Sequence, residues 1–549
     1  MKRIISILSA AFLLSLFCTA SVKQKEDFSR KLQIFNSIVK ELQTNYVDTL
    51  KAGEIMDRTI DALLYQIDPY TEYYPSSNQD EILSISSGQY AGIGSFIVKR
   101  GNKVLISEPQ WNSPARKSGL KAGDVILKVN SDTVLPNTEI GDVSKRLRGQ
   151  AGTEVVVKVK RPYVEDSLLT FNIIRDNIKV EPMPYFGIDS TGIGYIRLTT
   201  FNESSARRVK HAVTELMRDP ELKGIVLDLR NNGGGLLESA VQIVGNFVKK
   251  GTEVLRTRGR NPKDEKIYKT TQNPIAPEIP LAVLVDNGTA SASEIVSGAL
   301  QDLDRAVIIG DRTFGKGLVQ TTRPLPFGDI LKITTGRYYI PSGRLIQVLD
   351  YSHRNPDGSP ARVPDSLTHE FKTRIGRTVR DGGGIAPDII VERKEANRLL
   401  YNILSDFWAF DFANKFAAEH PDSLDAETFV VTDEIFQNFK ESIDPQRFKY
   451  DKQCESGLEI LRQAAKTEGY MTDSVSAQFD ILAALLKHDL ENDLDINRSA
   501  IEDIIDEEIS QRYFSDSARV KRSLRKDDDY EAAKKVLLDP KRYSEILSK

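Results

Sequence analysis

The stretch LAVLVDNGTASASEIVSGALQDLDRAVIIGDRTFGKGLVQ, at 281–320, leaves few folds open to this chain. Residues 281–285 are apolar and β-prone and run into Asp286-Asn287-Gly288, which predicts a buried strand ending in a turn. From Ser291 the apolar residues Ile295, Val296, Ala299, Leu300 and Leu303 recur at three and four residue intervals, the pattern of a helix with one buried face. A second apolar run, 306–309, enters the glycine-rich turn 310–317, and Lys316 lies inside that turn. Strand, helix and strand with polar groups at the turns is the repeating unit of an α/β sheet.

Two of those polar groups, the hydroxyl of Ser291 and the amine of Lys316, fall where a strand has just ended, the place where open α/β sheets hold ligands. Taken alone, Ser291 with Glu294 fits the S-x-x-E capping box, and a lysine in a glycine turn fits a solvated surface charge. The wider pattern says more. SASE after an apolar strand and Asp-Asn-Gly, followed by GDRTFGKGLVQ, resembles the active-site region of the C-terminal processing peptidases, or tail-specific proteases. The resemblance extends to GIVLDLRNNGGG at 224–235, TTGRYYIPSGRLIQ at 334–347 and GIAPDIIV at 384–391, and so over most of 30–392. It implies Ser291 as nucleophile, Lys316 as general base, Gln320 as the residue that orients the lysine, and Asp302 as the family's helix aspartate.

The chemistry agrees with that assignment. A serine hydroxyl is a weak nucleophile and needs an adjacent base. Lysine, with a reference pKa of about 10.4, serves near neutrality only if its site disfavours the charged form by about 4 kcal/mol. Burial does this. Phe314, Leu318 and Val319 are apolar neighbours, and Gln320 accepts a hydrogen bond without adding charge. An aspartate beside the lysine would oppose it, so Asp302 is expected to support the site without touching Lys316, and Glu294 is a second supporting residue.

A tetrahedral intermediate also needs donors aimed at its oxyanion. The run Asn231-Asn232-Gly233-Gly234-Gly235 follows the apolar strand 224–229 and precedes an apolar helical stretch from Leu236, so it gathers backbone amides at a positive helix end. A phosphate site is the other use of such a turn, but no G-x-x-x-x-G-K-[ST] pattern accompanies it. The resemblance places the oxyanion hole at the amides of Gly233 and Ala292.

The remaining chain arranges itself around this core. Its 549 residues allow two to four domains. A net charge of −3 and a pI near 6.1 give no footprint for nucleic acid. Lys2 and Arg3 before the uncharged run 4–17, then Cys18-Thr19-Ala20, have the layout of a secretory signal, too short to span a bilayer comfortably. Cleavage after Ala20 and export to the periplasm or cell envelope of a bacterium are expected; a membrane anchor arises only if Cys18 is lipidated, against which stands the bulky Phe17. Cleavage leaves Cys454 alone, so no intramolecular disulfide forms.

Residues 21–86 read as helical, with a stripe of Phe28, Leu32, Phe35, Val39 and Leu42 and a second helix ending before Asp68-Pro69. Here Tyr70-Thr71 replaces the His-Ser of the family's Asp-Pro-His-Ser segment. Residues 87–177, with short strands, helices at 114–118 and 140–147 and the phrase SPARKSGLKAGDVILKVN, resemble a PDZ domain inserted before the core. Such a domain adds a peptide strand to its sheet and holds the terminal carboxylate on backbone amides, here in the loop of Gly92, Ile93, Gly94 and Ser95. Asp124 reads as a turn cap. Residues 178–392 are expected to form a mixed or parallel α/β core, with 254–280 as a surface excursion. Residues 393–549, charged, helix-prone and glycine-poor, read as a helical extension with stripes at 399–416, 481–486 and 501–509. In it Asp527-Asp528-Asp529 is most simply a solvated turn.

The fold expected is therefore an α/β protease core with an inserted PDZ-like domain, N-terminal helices and a C-terminal helical extension. The function expected is a secreted serine endopeptidase with a Ser/Lys dyad, acting on proteins recognised by their C-terminal ends. The rival reading is an inactive PDZ scaffold, whose sign would be loss of the serine or the lysine. The five histidines, 211, 353, 369, 420 and 488, are scattered without metal-ligand spacing, so neither metal nor cofactor is expected. Protein or peptide substrates are the expected partners, and the helical extension leaves room for an adaptor protein or a homo-oligomer.

Overall fold

A computed structural model describes residues 27–76, 82, 84, 86–164, 167–392, 397–450 and 452–548. The expected export signal lies outside them. The chain divides into two compact units: the described part of Met1–Ser76 with Gln320–Thr334, and Ser77–Val319 with Thr335–Lys549.

In the smaller unit, helices at 27–45 and Ala52–Tyr65 precede the strand Glu72–Tyr74, which pairs antiparallel with 330–332. The predicted stripe lies on the first helix, yet Phe28 and Leu32 remain exposed, at 70% and 51%. The Asp68 carboxylate accepts the amides of Tyr70 and Thr71, both at 2.8 Å, so this segment is a capped turn. Thr334 donates its amide to the Thr71 hydroxyl (3.3 Å) and accepts the side-chain amide of Gln320 (3.1 Å).

Early in the larger unit lies a six-strand antiparallel sheet whose edge strand is β1 (Ser95–Arg100) and whose helix α1 (Ile140–Leu147) lies beside it. The strand Glu154–Lys160 alternates as its sequence EVVVKVK predicts, with Val155, Val157 and Val159 inward. Leu168–Ile174 adds a strand absent from the sequence reading, where alternation is blurred by Leu168-Leu169. Asp124, buried, caps Lys121 as expected and also holds Arg161 at 2.7 Å.

The core sheet has six strands in the order 185–188, β2 (Ile193–Arg197), β3 (Gly224–Asp228), β4 (Leu281–Val285), β5 (Val307–Gly310) and 389–390. All but the first pair are parallel. Its central strands β4 and β5 are apolar throughout and fully buried because both faces are covered. On one face Leu227, Val283 and Ile308 meet α2 (Ser205–Leu216), α3 (Leu237–Val244) and α4 (Ala292–Asp302). On the other, Val226, Leu284 and Ile309 meet Tyr530, Val536 and Leu537 of α5 (Asp528–Leu537) and Ile546 of α6 (Pro540–Ser548).

Three expectations are corrected here. Residues 254–280 are not merely a surface excursion, since Glu253–Gly259 is a strand whose Val254 and Leu255 are fully buried; two apolar residues before Arg-Thr-Arg gave too short a signal. The helical extension does form, around Leu399, Phe412, Phe439 and Ile505, but its stripe at 481–486 is not buried: Ile481 and Leu485 are exposed on a helical arm built from Gln453–Thr467 and Asp473–Leu485. Asp527 and Asp529 are not solvated; they form ion pairs with Arg230 at 2.5 and 2.8 Å.

Candidate active site

The predicted strand, turn and helix bring Ser291 to the first turn of α4, in a backbone conformation (φ 57°, ψ −114°) that L-residues rarely adopt. Such conformations persist only where the surroundings over-determine them, and they cluster at functional sites. Glu294 is the main constraint. Wholly buried, its carboxylate accepts the Ser291 amide at 2.8 Å, as the capping box requires, and also the amides of Lys316 (2.9 Å) and Gly315 (2.7 Å) and the Thr313 hydroxyl (2.6 Å). One side chain thus fastens the nucleophile's backbone to the backbone of the lysine turn. Burial pushes the Glu294 carboxyl up, and these four donors pull against it. Tyr338, in the family-like segment 334–347, closes the same knot: its hydroxyl donates to the Lys316 carbonyl at 2.7 Å, with the Ser291 carbonyl at 3.3 Å.

The glycine turn after β3 lies directly against this group. A Cβ on Gly234 would fall 2.8 Å from Ser291 Cβ and 2.7 Å from the Ala290 carbonyl oxygen, so only glycine, here at φ 97°, permits the approach. Gly233 faces open space. The Gly234 amide goes to Asn232 Oδ1 (2.9 Å), and the Asn232 carbonyl accepts from the Ala290 amide (3.0 Å) and the Ser293 hydroxyl (2.8 Å). The amides of Gly233 and Ala292 have no acceptor among the described residues.

Residues 192–351 match the family described as "Peptidase family S41", 105–161 match "PDZ domain", and 399–537 match "Probable PDZ-protease, C-terminal helical domain". A carboxy-terminal-processing protease of Bartonella bacilliformis is 34% identical over 341 residues, covering 62% of this chain and 77% of that protein. A CtpA-like serine protease of Staphylococcus haemolyticus is 30% identical over 418 residues, with 75% and 82% covered. This chain belongs to the C-terminal processing proteases of peptidase family S41. Among solved structures, a photosystem II D1 C-terminal processing protease is 28% identical over 64% of this chain and 86% of that one, with a TM-score of 0.36.

The other predicted residues of this S41 protease separate into places. Asp302, fully buried, pairs with buried Arg344 at 2.8 Å and accepts the Ser342 amide at 2.9 Å, holding the turn after Tyr338-Tyr339. Of the apolar neighbours expected for Lys316, Phe314 is 45% exposed, because its amide is drawn to the Thr289 carbonyl and its ring is left outside. Gln320 belongs to the smaller unit, on the strand Leu318–Pro324. In the PDZ domain, 89–92 is a strand paired with 176–179, so Gly92 ends a strand and the turn itself is Ile93-Gly94. There the Ile93 carbonyl accepts from Ala115 (2.8 Å) and the Gly94 carbonyl from Gln110 (2.9 Å), which in planar trans peptides turns the amides of Gly94 and Ser95 the other way. Ser95 opens β1, and its hydroxyl donates to the Glu108 carbonyl at 3.2 Å.

Sequence reading missed Thr313, Asp286 and the group around Asp228. Asp286 accepts the amides of Asn231 (2.9 Å) and Gly288 (3.0 Å), a role that an Asp-Asn-Gly turn could have suggested. Asp228, buried at the end of β3, holds Arg197 (2.6 Å), Arg230 (2.7 Å) and the Tyr195 hydroxyl (2.6 Å), and the two guanidinium groups bring its carboxyl down to about 2 against the cost of burial.

Proposed function

We propose that this protein is an exported endopeptidase that selects substrates by their C-terminal ends and cleaves them with Ser291 as nucleophile and Lys316 as general base. The observation that carries the reading is the Glu294 carboxylate, which accepts from the Ser291 and Lys316 amides at once and so joins nucleophile and base. Gln320 is assigned to orienting the amine on the resemblance of GKGLVQ to the family's lysine turn. The Gly233 and Ala292 amides receive the oxyanion, one from the glycine turn and one from the positive end of α4.

Delivery falls to the PDZ domain. β1 is an edge strand with α1 beside it, so a peptide end can pair with its outer edge while its carboxylate meets the amides of the loop 92–95. The apolar side chains of Ile97, Ile140 and Val143 suit an apolar last residue. Export follows from the signal-like segment up to Ala20.

The test is cleavage of an unfolded protein with an apolar C-terminus by wild type, Ser291→Ala and Lys316→Ala, repeated with the substrate's terminal carboxylate amidated. Both variants should be folded and inactive, and amidation should slow the wild-type reaction. Cleavage by Ser291→Ala refutes the mechanism. Carboxylate-dependent binding without cleavage by wild type makes the protein a scaffold.

A further inference from the structure

The C-terminal helical domain enters the neighbourhood of the site at one point. The Arg230 guanidinium donates to Asp527 (2.5 and 2.9 Å) and Asp529 (2.8 Å) of the extension as well as to Asp228 (2.7 Å) at the end of β3. The group is enclosed: the Arg230 side chain is 15% exposed and Asp529 5%. Asp527 also caps α5, accepting the Tyr530 amide at 3.0 Å, and the Tyr530 ring stands edge-on to Tyr195, whose hydroxyl is on Asp228. Arg230 is the last residue before Asn231-Asn232-Gly233, and its own amide is bound to Asp228 at 2.9 Å. The turn is thereby gripped at the residue before it by two carboxylates of the extension and one of the core. On its far side it is gripped by Asp286 through the Asn231 amide and by Ala290 through the Asn232 carbonyl.

We infer that the start of α5 is a positioning element of the active site: Asp527 and Asp529 hold Arg230, and through it fix where the Gly233 amide points. This rests on the proposal that the Gly233 amide is an oxyanion donor. Bidentate carboxylate pairs fix a guanidinium in direction as well as distance, which suits a part that sets geometry. Placing an oxyanion donor needs sub-ångström control, because its contribution is made only in the transition state. The extension would then serve turnover, leaving substrate capture to the PDZ domain.

The experiment uses the full chain with Asp527→Asn/Asp529→Asn together, Asp527→Asn alone, and the glutamate replacements. Losing one oxyanion donor outright typically costs 10²–10³-fold, so a misaimed one should lower kcat by about tenfold. KM should stay within about twofold, and inhibition by a peptide aldehyde should weaken by about the same tenfold as kcat. Asp527→Glu/Asp529→Glu should recover part of the loss. Should the double variant fail to fold, Asp527→Asn alone, at a side chain 12% exposed, carries the test with a smaller loss in the same direction. Unchanged kcat per active molecule, counted by burst titration, overturns the inference even if melting temperature falls, since Arg230 would then matter only to stability. Gly233→Pro, which removes the amide hydrogen, separates the two layers. If it loses kcat and aldehyde affinity while the aspartate variants do not, the inference alone fails; if it is fully active, the oxyanion assignment fails and the inference with it.

Discussion

Glu294 and Asp228 are both fully buried, and they are satisfied by opposite means. Glu294 is surrounded by neutral donors, three amides and a hydroxyl, and burial raises its carboxyl. Asp228 is surrounded by Arg197, Arg230 and a tyrosine, and its carboxyl falls to about 2. The difference follows from what each stands beside. Glu294 stands where the serine turn and the lysine turn meet, and its four neutral donors tie the two backbones together. Asp228 stands behind the glycine turn, where charge-assisted pairs hold the backbone firmly.

Removing Glu294 should do the most damage. Glu294→Ala leaves three amides and a hydroxyl without their acceptor, at about 1–3 kcal/mol for each that water cannot reach. We expect a loss of about 4 kcal/mol in denaturant unfolding and a fall in kcat of about 100-fold or more. If activity survives at normal stability, Glu294 does not join serine to lysine. Next is Asp228→Asn, which leaves Arg197 and part of Arg230 uncompensated; breaking a buried pair from one side costs about 3–5 kcal/mol. Here stability should suffer more than turnover, and the reverse ranking would break the contrast.

Acid titration sharpens the contrast further. Asp228 contributes stability that is complete above its ordinary value of 3.8 and is lost as pH falls through about 2, so Asp228→Asn should melt with a flatter pH dependence in that interval than wild type. Glu294 has the opposite sign. Its stabilisation is complete below its ordinary 4.5 and declines as pH rises through the raised value, so Glu294→Gln should lack a decline that wild type shows above pH 4.5. Parallel melting curves for the two variants would mean that both carboxyls sit in equivalent surroundings. The smallest effect expected is that of Ser293→Ala, which removes one neutral bond between α4 and the Asn232 carbonyl. About 1 kcal/mol and a few-fold in kcat are expected, and a larger loss would assign that bond a role in aiming the turn.

The sequence foretold one side of this contrast better than the other. Strand β4, helix α4 and the glycine turn were legible because apolar runs, a capping box and turn residues act over short distances, and Glu294 lies three residues from the serine it holds. Its reach to Thr313 and Lys316 was hidden, since periodicity reports which face is buried and nothing about which polar group meets which. Asp527-Asp528-Asp529 misled for the same reason. A run of three acids reads as solvated until its cation appears, and Arg230 is 297 positions away from Asp527. The stripe at 481–486 had the right period for a helix and gave no sign that its surroundings would leave it uncovered.

The second face of the core sheet closes with α5 and α6, and Tyr543 of α6 reaches β4 across 262 positions to hold the Leu281 amide at 3.0 Å. At a synthesis rate of about 5–20 residues per second, that interval takes roughly 13 to 50 s. During it the serine and lysine turns are synthesised while α5 and α6 are still to come, so Val226, Leu284 and Ile309 lack their cover and Arg230 lacks the extension's carboxylates. A growing chain of this protein therefore makes the strands that carry its serine turn well before the helices that cover their second face.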